Sequence, residues 1–150
     1  MSTKAQLVKG SKLDISTAEH TDVNTAPTAG ATESLDCSAR TVAWQSGGKE
    51  EIDVTAICST AKEFLLGLKD SGSFTVSGFW NQGDDAQKVV KAADSDGKKR
   101  YIKMTFADGS TFASLALVSG RSWSAGVNGV VEGEWTFRCT GETVETEPTP

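Results

Sequence analysis

The stretch that most constrains this chain is residues 131–139. There Val131, Gly133, Trp135, Phe137 and Cys139 alternate with Glu132, Glu134, Thr136 and Arg138. Successive side chains on a strand point to opposite faces, so the pattern makes a strand with one apolar and one polar face. A helix would scatter the same residues around its circumference. Such a strand needs antiparallel neighbours and a core on one side, and it meets water or a partner on the other.

Shorter runs of the same kind supply the neighbours. In residues 73–80, Phe74, Val76, Gly78 and Trp80 share one face and Ser73, Thr75, Ser77 and Phe79 the other. Ile102, Met104 and Phe106 alternate with Tyr101, Lys103 and Thr105; Asp108-Gly109 then signals a hairpin and residues 112–118 run back. Trp123 follows in a Gly- and Ser-rich bend, and Asn128-Gly129 offers another hairpin turn. Upstream, residues 35–45 read as a strand, and Ile52, Val54 and Ala56 as a second that pairs back across the Gly47-Gly48 turn. Residues 4–16, with Gly10 in the middle, suggest a first strand or irregular hairpin.

Two helices interrupt the strands. Ala86, Val89, Val90 and Ala93 recur at helical spacing behind Asp84 and Gln87, predicting an amphipathic helix over about 84–94. Thr60 and Glu63 form a second capping-box pattern ahead of Phe64, Leu65 and Leu66, predicting a short helix over about 60–66 that ends at Gly67. So short a helix persists only when packed on something. The fold class expected is therefore mainly β, a sandwich or barrel-like domain with one flanking helix and one short one. A single domain spans 1–140, with a long polar loop at about 17–34 and an acidic tail at 141–150. A chain of 150 residues is the usual size for one core, and 15 Gly against 3 Pro suit strands joined by tight turns.

Composition excludes more than it selects. The net charge of −5 and pI near 4.9 argue against ordinary nucleic-acid binding, which needs basic groups to displace phosphate counterions. Cys37, Cys58 and Cys139 match neither a disulfide framework nor zinc-ligand spacing and read as small buried thiols in a reducing compartment. The start, MSTKAQLVKG, has no apolar signal core, and no apolar run reaches membrane-spanning length, so a soluble protein of the cytoplasm is expected.

No catalytic, cofactor or metal site is expected either. His20 lies in the polar loop without a Cys or second His nearby. Asp94-Ser95-Asp96-Gly97 begins like a calcium loop, but Lys98, Lys99 and Arg100 follow where further oxygen ligands belong. Glu50/Glu51 and Asp84/Asp85 are adjacent in sequence and diverge on any regular element. Residues 120–126 lack the spacing and the Lys of a phosphate loop. The four Trp, at 44, 80, 123 and 135, fit core packing better than a sugar platform.

The order of elements, and residues 50–80 in particular (EEIDVTAICSTAKEFLLGLKDSGSFTVSGFW), resemble the tail tube proteins of long-tailed bacteriophages. The likeness extends through DDAQKVVKAADSDGKKRYIKMTFADGSTFASLAL to the closing strand VVEGEWTFRC and covers most of residues 35–140. It implies a structural virion protein, assembled in the host cytoplasm, that forms hexameric rings stacked into a hollow tail tube. The genomic DNA passes through without specific binding, and the tape-measure, tail-terminator and distal tail proteins become expected partners. Strands of neighbouring subunits would continue one another around the lumen, while the N-terminal arm and the long loop bridge successive rings. Ile52, Val54, Phe64, Leu65 and Leu66 are then candidate subunit-interface residues, shared between core and contact. Glu51, Glu132 and Glu134 are candidate acidic lumen residues that repel phosphate. A contractile injection system tube subunit and a tail-completion protein share this fold and stand as alternatives. From another class, so does a β-sandwich carbohydrate-binding module.

Overall fold

The computed structural model describes residues 5–6, 8–28, 30–127 and 129–148. Along the chain run β1 (Lys12–Ser16), β2 (Thr32–Ser34), β3 (Ala39–Gln45), β4 (Gly48–Asp53), β5 (Phe64–Asp70), β6 (Ser73–Phe79), α1 (Asp85–Asp96), β7 (Arg100–Thr105), β8 (Thr111–Ser124) and β9 (Glu132–Thr146). Among the described residues, seven strands make one antiparallel sheet in the order β2-β1-β7-β8-β9-β6-β3, while β4 and β5 pair only with each other.

The alternation in β9 sets the inside of this sheet. Trp135 lies opposite Val76 of β6 and Phe137 opposite Phe74, so the apolar faces of both strands coincide. With Ile15, Leu35, Ile102 and Val90 these side chains are fully buried. Each such burial contributes about 1.5–3 kcal/mol, which makes this cluster the main source of stability. A flat sheet would leave the far side of the cluster wet. Instead the sheet curls into a barrel-like form: the Trp44 ring of β3 meets Phe112 of β8 at 4.7 Å, and the Leu13 amide of β1 donates to Asp36 Oδ1 at 2.6 Å, just ahead of β3.

Helix α1 covers one open end with Ala86, Val90 and Ala93. Its capping-box residues serve the corner rather than the cap. Asp84 makes no side-chain cap bond and accepts from Ser38 Oγ at 2.8 Å. Gln87 accepts from the Asn81 amide and donates to Phe79 O and Ser38 Oγ, tying the end of β6 to the β2–β3 link. Gly97 ends the helix in the left-handed conformation, its amide reaching Ala93 O at 3.0 Å.

Several sequence expectations need correction. There is no helix over 60–66: from Phe64 the chain is strand β5, paired with β4. The pattern Thr60–Glu63 does not cap a helix; Glu63 accepts from Ser59 Oγ and its amide donates to Thr55 Oγ1, closing the hairpin tip. A one-turn helix needs a surface to bury its apolar side, and this segment has none within the chain. The segment around Ile52 therefore pairs forward with β5, and β3 pairs with β6.

Strand β8 does not bend at Trp123. A bulge between Val118 and Gly120 absorbs one residue, and the strand continues to Ser124. Residues 141–146, read as tail, extend β9 opposite Thr111 and Ser114. Cys139 is buried, which pushes its thiol pKa up, but Cys37 and Cys58 are exposed. The hairpin turn at Asp108-Gly109 forms as expected, with the Gly109 amide on Phe106 O. The turn read at Asn128-Gly129 and the start of the first strand at Lys4 fall on or beside positions outside the described residues.

Candidate assembly interface

The β4–β5 hairpin is the least satisfied part of the chain. It leaves β3 after Gln45 and returns to β6 at Ser73, so the β3/β6 ribbon and the hairpin are continuous but bent. Gly72 makes the bend: its φ is 85°, and a Cβ there would lie 1.8 Å from Gln45 O. The Asp70 carboxylate accepts from the Gly72 amide at 2.9 Å and from Arg138 of β9, and these two contacts hold its pKa below the usual carboxylate value.

Register divides the hairpin into two faces. Ile52 lies opposite Leu65 on one side, and Phe64 and Leu66 lie on the other with Asp53 and Glu51; a register shift between Lys49 and Glu51 interrupts the alternation before Leu68. The expected interface residues Ile52, Val54, Phe64, Leu65 and Leu66 are all brought together here, and all are between 41% and 60% exposed. None belongs to the core of its own chain. Leu68, 95% exposed, and Ile57 at the hairpin tip extend the patch. Leu68 is missed in sequence because Gly67 reads as a helix stop, which detaches it from the run before it. A two-stranded hairpin is at best marginal alone, and one apolar on both faces needs cover on both.

The candidate lumen residues divide differently. Glu132 and Glu134 are exposed on the outer face of β9, opposite Phe79 and Ser77 of β6 and Ser124 and Ser122 of β8. Around them Ser, Thr and Gly, together with Arg40 and Trp123, line a shallow cleft of about 480 Å³. Arg40 approaches Glu132 at 3.7 Å and lies over the Phe79 ring. Glu51 is not part of this group. It sits on the hairpin, which springs from the Ser73 end of β6, whereas Glu132 pairs at the Phe79 end.

The long polar loop folds back on its own chain. The Thr17 amide donates to Ala31 O, closing the loop, and the His20 amide donates to Lys99 O. The His20 ring packs edge-on against Tyr101 at 5.3 Å, and Val23 joins Tyr101, Ala113 and Leu115 in a second small apolar cluster. Burial raises the Tyr101 pKa. The loop thus covers the outer side of β7 and β8, a role its composition did not announce because one Val carries the apolar contact.

The Trp residues make no open platform. Trp135 is in the core, Trp44 packs on Phe112, and Trp80 stacks on Trp135 with planes 3° apart. Only Trp123 is largely exposed, at 61%.

No protein-family model and no curated protein matches the sequence. Solved structures do. A chain in the tail of an empty gene transfer agent particle, refined helically with C6 symmetry, superposes with a TM-score of 0.71 at 18% identity, covering 95% of this chain and 100% of that one. The SPP1 tail tube superposes at 0.68 and 18% identity, covering 97% and 81%. A chain in the sheath/tube terminator of an extracellular contractile injection system gives 0.67 at 10%, covering 97% and 99%. The fold of this chain is the one these tail and tube assemblies share.

Proposed function

We propose that this chain is a structural subunit of a phage-type tail tube. Copies close into rings, six to a ring as the C6 symmetry of the gene transfer agent tail suggests, and rings stack into a hollow conduit for DNA. The observation that carries the reading is the β4–β5 hairpin: a chain with the tail tube fold presents, on a projecting element, large apolar side chains on two faces. Five of them are about half exposed, so burying what remains of these, at about 1.5–3 kcal/mol for a whole side chain, is worth roughly 4–8 kcal/mol per hairpin before association costs, which favours contact between subunits. Ile52, Val54, Phe64, Leu65 and Leu66 would form the contact. Glu132 and Glu134 would line the lumen, and Glu51 would sit nearer the contact than the bore. Tail-terminator, tape-measure and distal tail proteins would meet the ends of the tube.

Negative-stain microscopy of the purified protein tests this directly. Tubes of uniform width are expected; a monomer at every concentration would overturn the reading. The likeness to the contractile injection system keeps a second version in view, in which the same tube sits inside a sheath. Co-purification of a sheath protein from the native particle would select that version.

A further inference from the structure

A second bare apolar surface lies at the Glu132 end of the β6–β9 ribbon, away from the hairpin root. Phe79 closes β6 there, Trp123 stands near the end of β8, and the link from β8 to β9 carries Val127, Val130 and Val131; all five are exposed. Phe79 pairs with Glu132, Trp123 pairs with Gly133, and the Trp80 amide donates to Val131 O, so these side chains share one rim of the molecule. Cations border it. Lys88, Lys91 and Arg121 line a cleft with Trp123; Lys88 pairs with Asp85 and Arg121 with Asp94, whereas Lys91 has no ion pair among the described residues. Glu132, the carboxylate at the rim, is engaged by Arg40.

We propose that this rim seats the Phe64–Leu66 side of the β4–β5 hairpin of a second copy, in the next ring. The inference rests on the assembly reading and names the surface that covers one face of the hairpin. Within one chain the two surfaces stay apart. Asp70 at the hairpin root bonds Arg138, and residues 132–138 of β9 span about 20 Å between that root and Glu132. β5 has seven residues and is about 23 Å long, enough to cross from one copy to the next. Charge selects the rim over a contact between two hairpins. Glu51 and Asp53 share the side of Phe64 and Leu66, so hairpins meeting on that side would bring carboxylates together, while on the rim the same groups meet Lys88 and Lys91. Donor and acceptor at different ends of the chain make a head-to-tail contact, which repeats from ring to ring.

Two spoiled surfaces test this in combination. Leu66→Asp disables the donor, and Val127→Asp with Val130→Asp disables the acceptor; all three positions are exposed, so natural melting temperatures are expected. Neither variant should make tubes. Mixed in equal amounts they should form a complex of twice the mass of either alone by sedimentation, and still no tubes, because the one intact donor and the one intact acceptor are then used up. Tubes from the rim variant, or a mixture no larger than its parts, overturn the proposal. Thiol cross-linking checks it without a charge in the contact. Cys58 at the hairpin tip is exposed, and in a Cys37→Ser background a short bis-maleimide should give a ladder of covalent multimers with Val127→Cys but not with Glu145→Cys. No ladder, or equal ladders, overturns it too. Natural protein that makes tubes while these outcomes fail leaves the assembly reading standing; natural protein that makes none overturns both.

Discussion

At Gly72 the backbone leaves no room for a side chain. Its φ of 85° and the 1.8 Å approach of a Cβ to Gln45 O set strain and a backbone clash together, and no rotamer relieves either. Gly72→Ala should lower the unfolding free energy by more than about 2 kcal/mol in urea titration; an unchanged midpoint would mean the hairpin does not cross its own root here. Beside it, Asp70 is one of five surface carboxyls with lowered pKa, itself half-buried. The Gly72 amide leads the causes there, Asn24 at Asp22, Thr55 at Asp53, Arg100 at Asp96 and Ser110 at Asp108. A folded-state pKa below the unfolded one adds stability that is present above the unfolded pKa of about 3.9 and lost as pH falls through the lower folded value. Stability should therefore drop from about pH 4 downward, less steeply in Asp70→Asn. Asp14 has the opposite sign. Burial and the neighbouring Asp36 raise its pKa, so it opposes folding at neutral pH, and Asp14→Asn should raise the melting temperature at pH 7. A lower one would show that Asp14 is held by contacts other than these.

At the scale of the element, the proposed contact at the β4–β5 hairpin would separate folding from assembly. Leu65 and Leu66 are neighbours on β5 and point to opposite faces, and both are about 60% exposed. Leu65→Asp and Leu66→Asp should each keep the monomer within about 0.5 kcal/mol of its natural stability, since neither reaches the core. Each should abolish tubes, because a charge would be buried against a partner on either face. A variant that still made normal tubes would free that face from the contact. The same hairpin marks the limit of what residues alone disclose. The alternation of β9 and the helical spacing of Val89, Val90 and Ala93 are local signals that tertiary packing reinforces, and both elements form where expected. Phe64–Leu65–Leu66 has neither period, because both faces await a partner, and a capping pattern with no surface to pack on reads as a helix. Strand β8 beyond Val118 was hidden for another reason: a bulge shifts its phase, and Ser and Gly mask its pairing with β9.

At the scale of the molecule, the curl of the sheet gives β3, β6, β9 and β8 a common outer face of small hydroxyls with two carboxylates. Ser73, Thr75 and Ser77 of β6 and Thr136 of β9 surround Glu132 and Glu134 there. Such a surface suits a polyanion that must pass without sticking. It offers short side chains and a repulsive field, and its two cations are engaged, Arg40 by Glu132 at 3.7 Å and over the Phe79 ring, and Arg138 by Asp70. In a ring each carboxylate would be repeated by every copy, and along the tube by every ring. At physiological salt the screening length is about 8 Å, so charges on the wall act on a duplex only where it comes close, and the repeated pattern matters more than any single group. Glu132→Lys together with Glu134→Lys changes this proposed lumen face by four charges per copy without touching the core or the hairpin. Tubes of natural width are expected. Genome release from particles carrying them should slow markedly, with the delay shrinking as salt rises, because counterions then compete for the phosphates. Time courses of DNA release at two ionic strengths decide the point: natural kinetics from intact variant tubes would move this face out of the lumen.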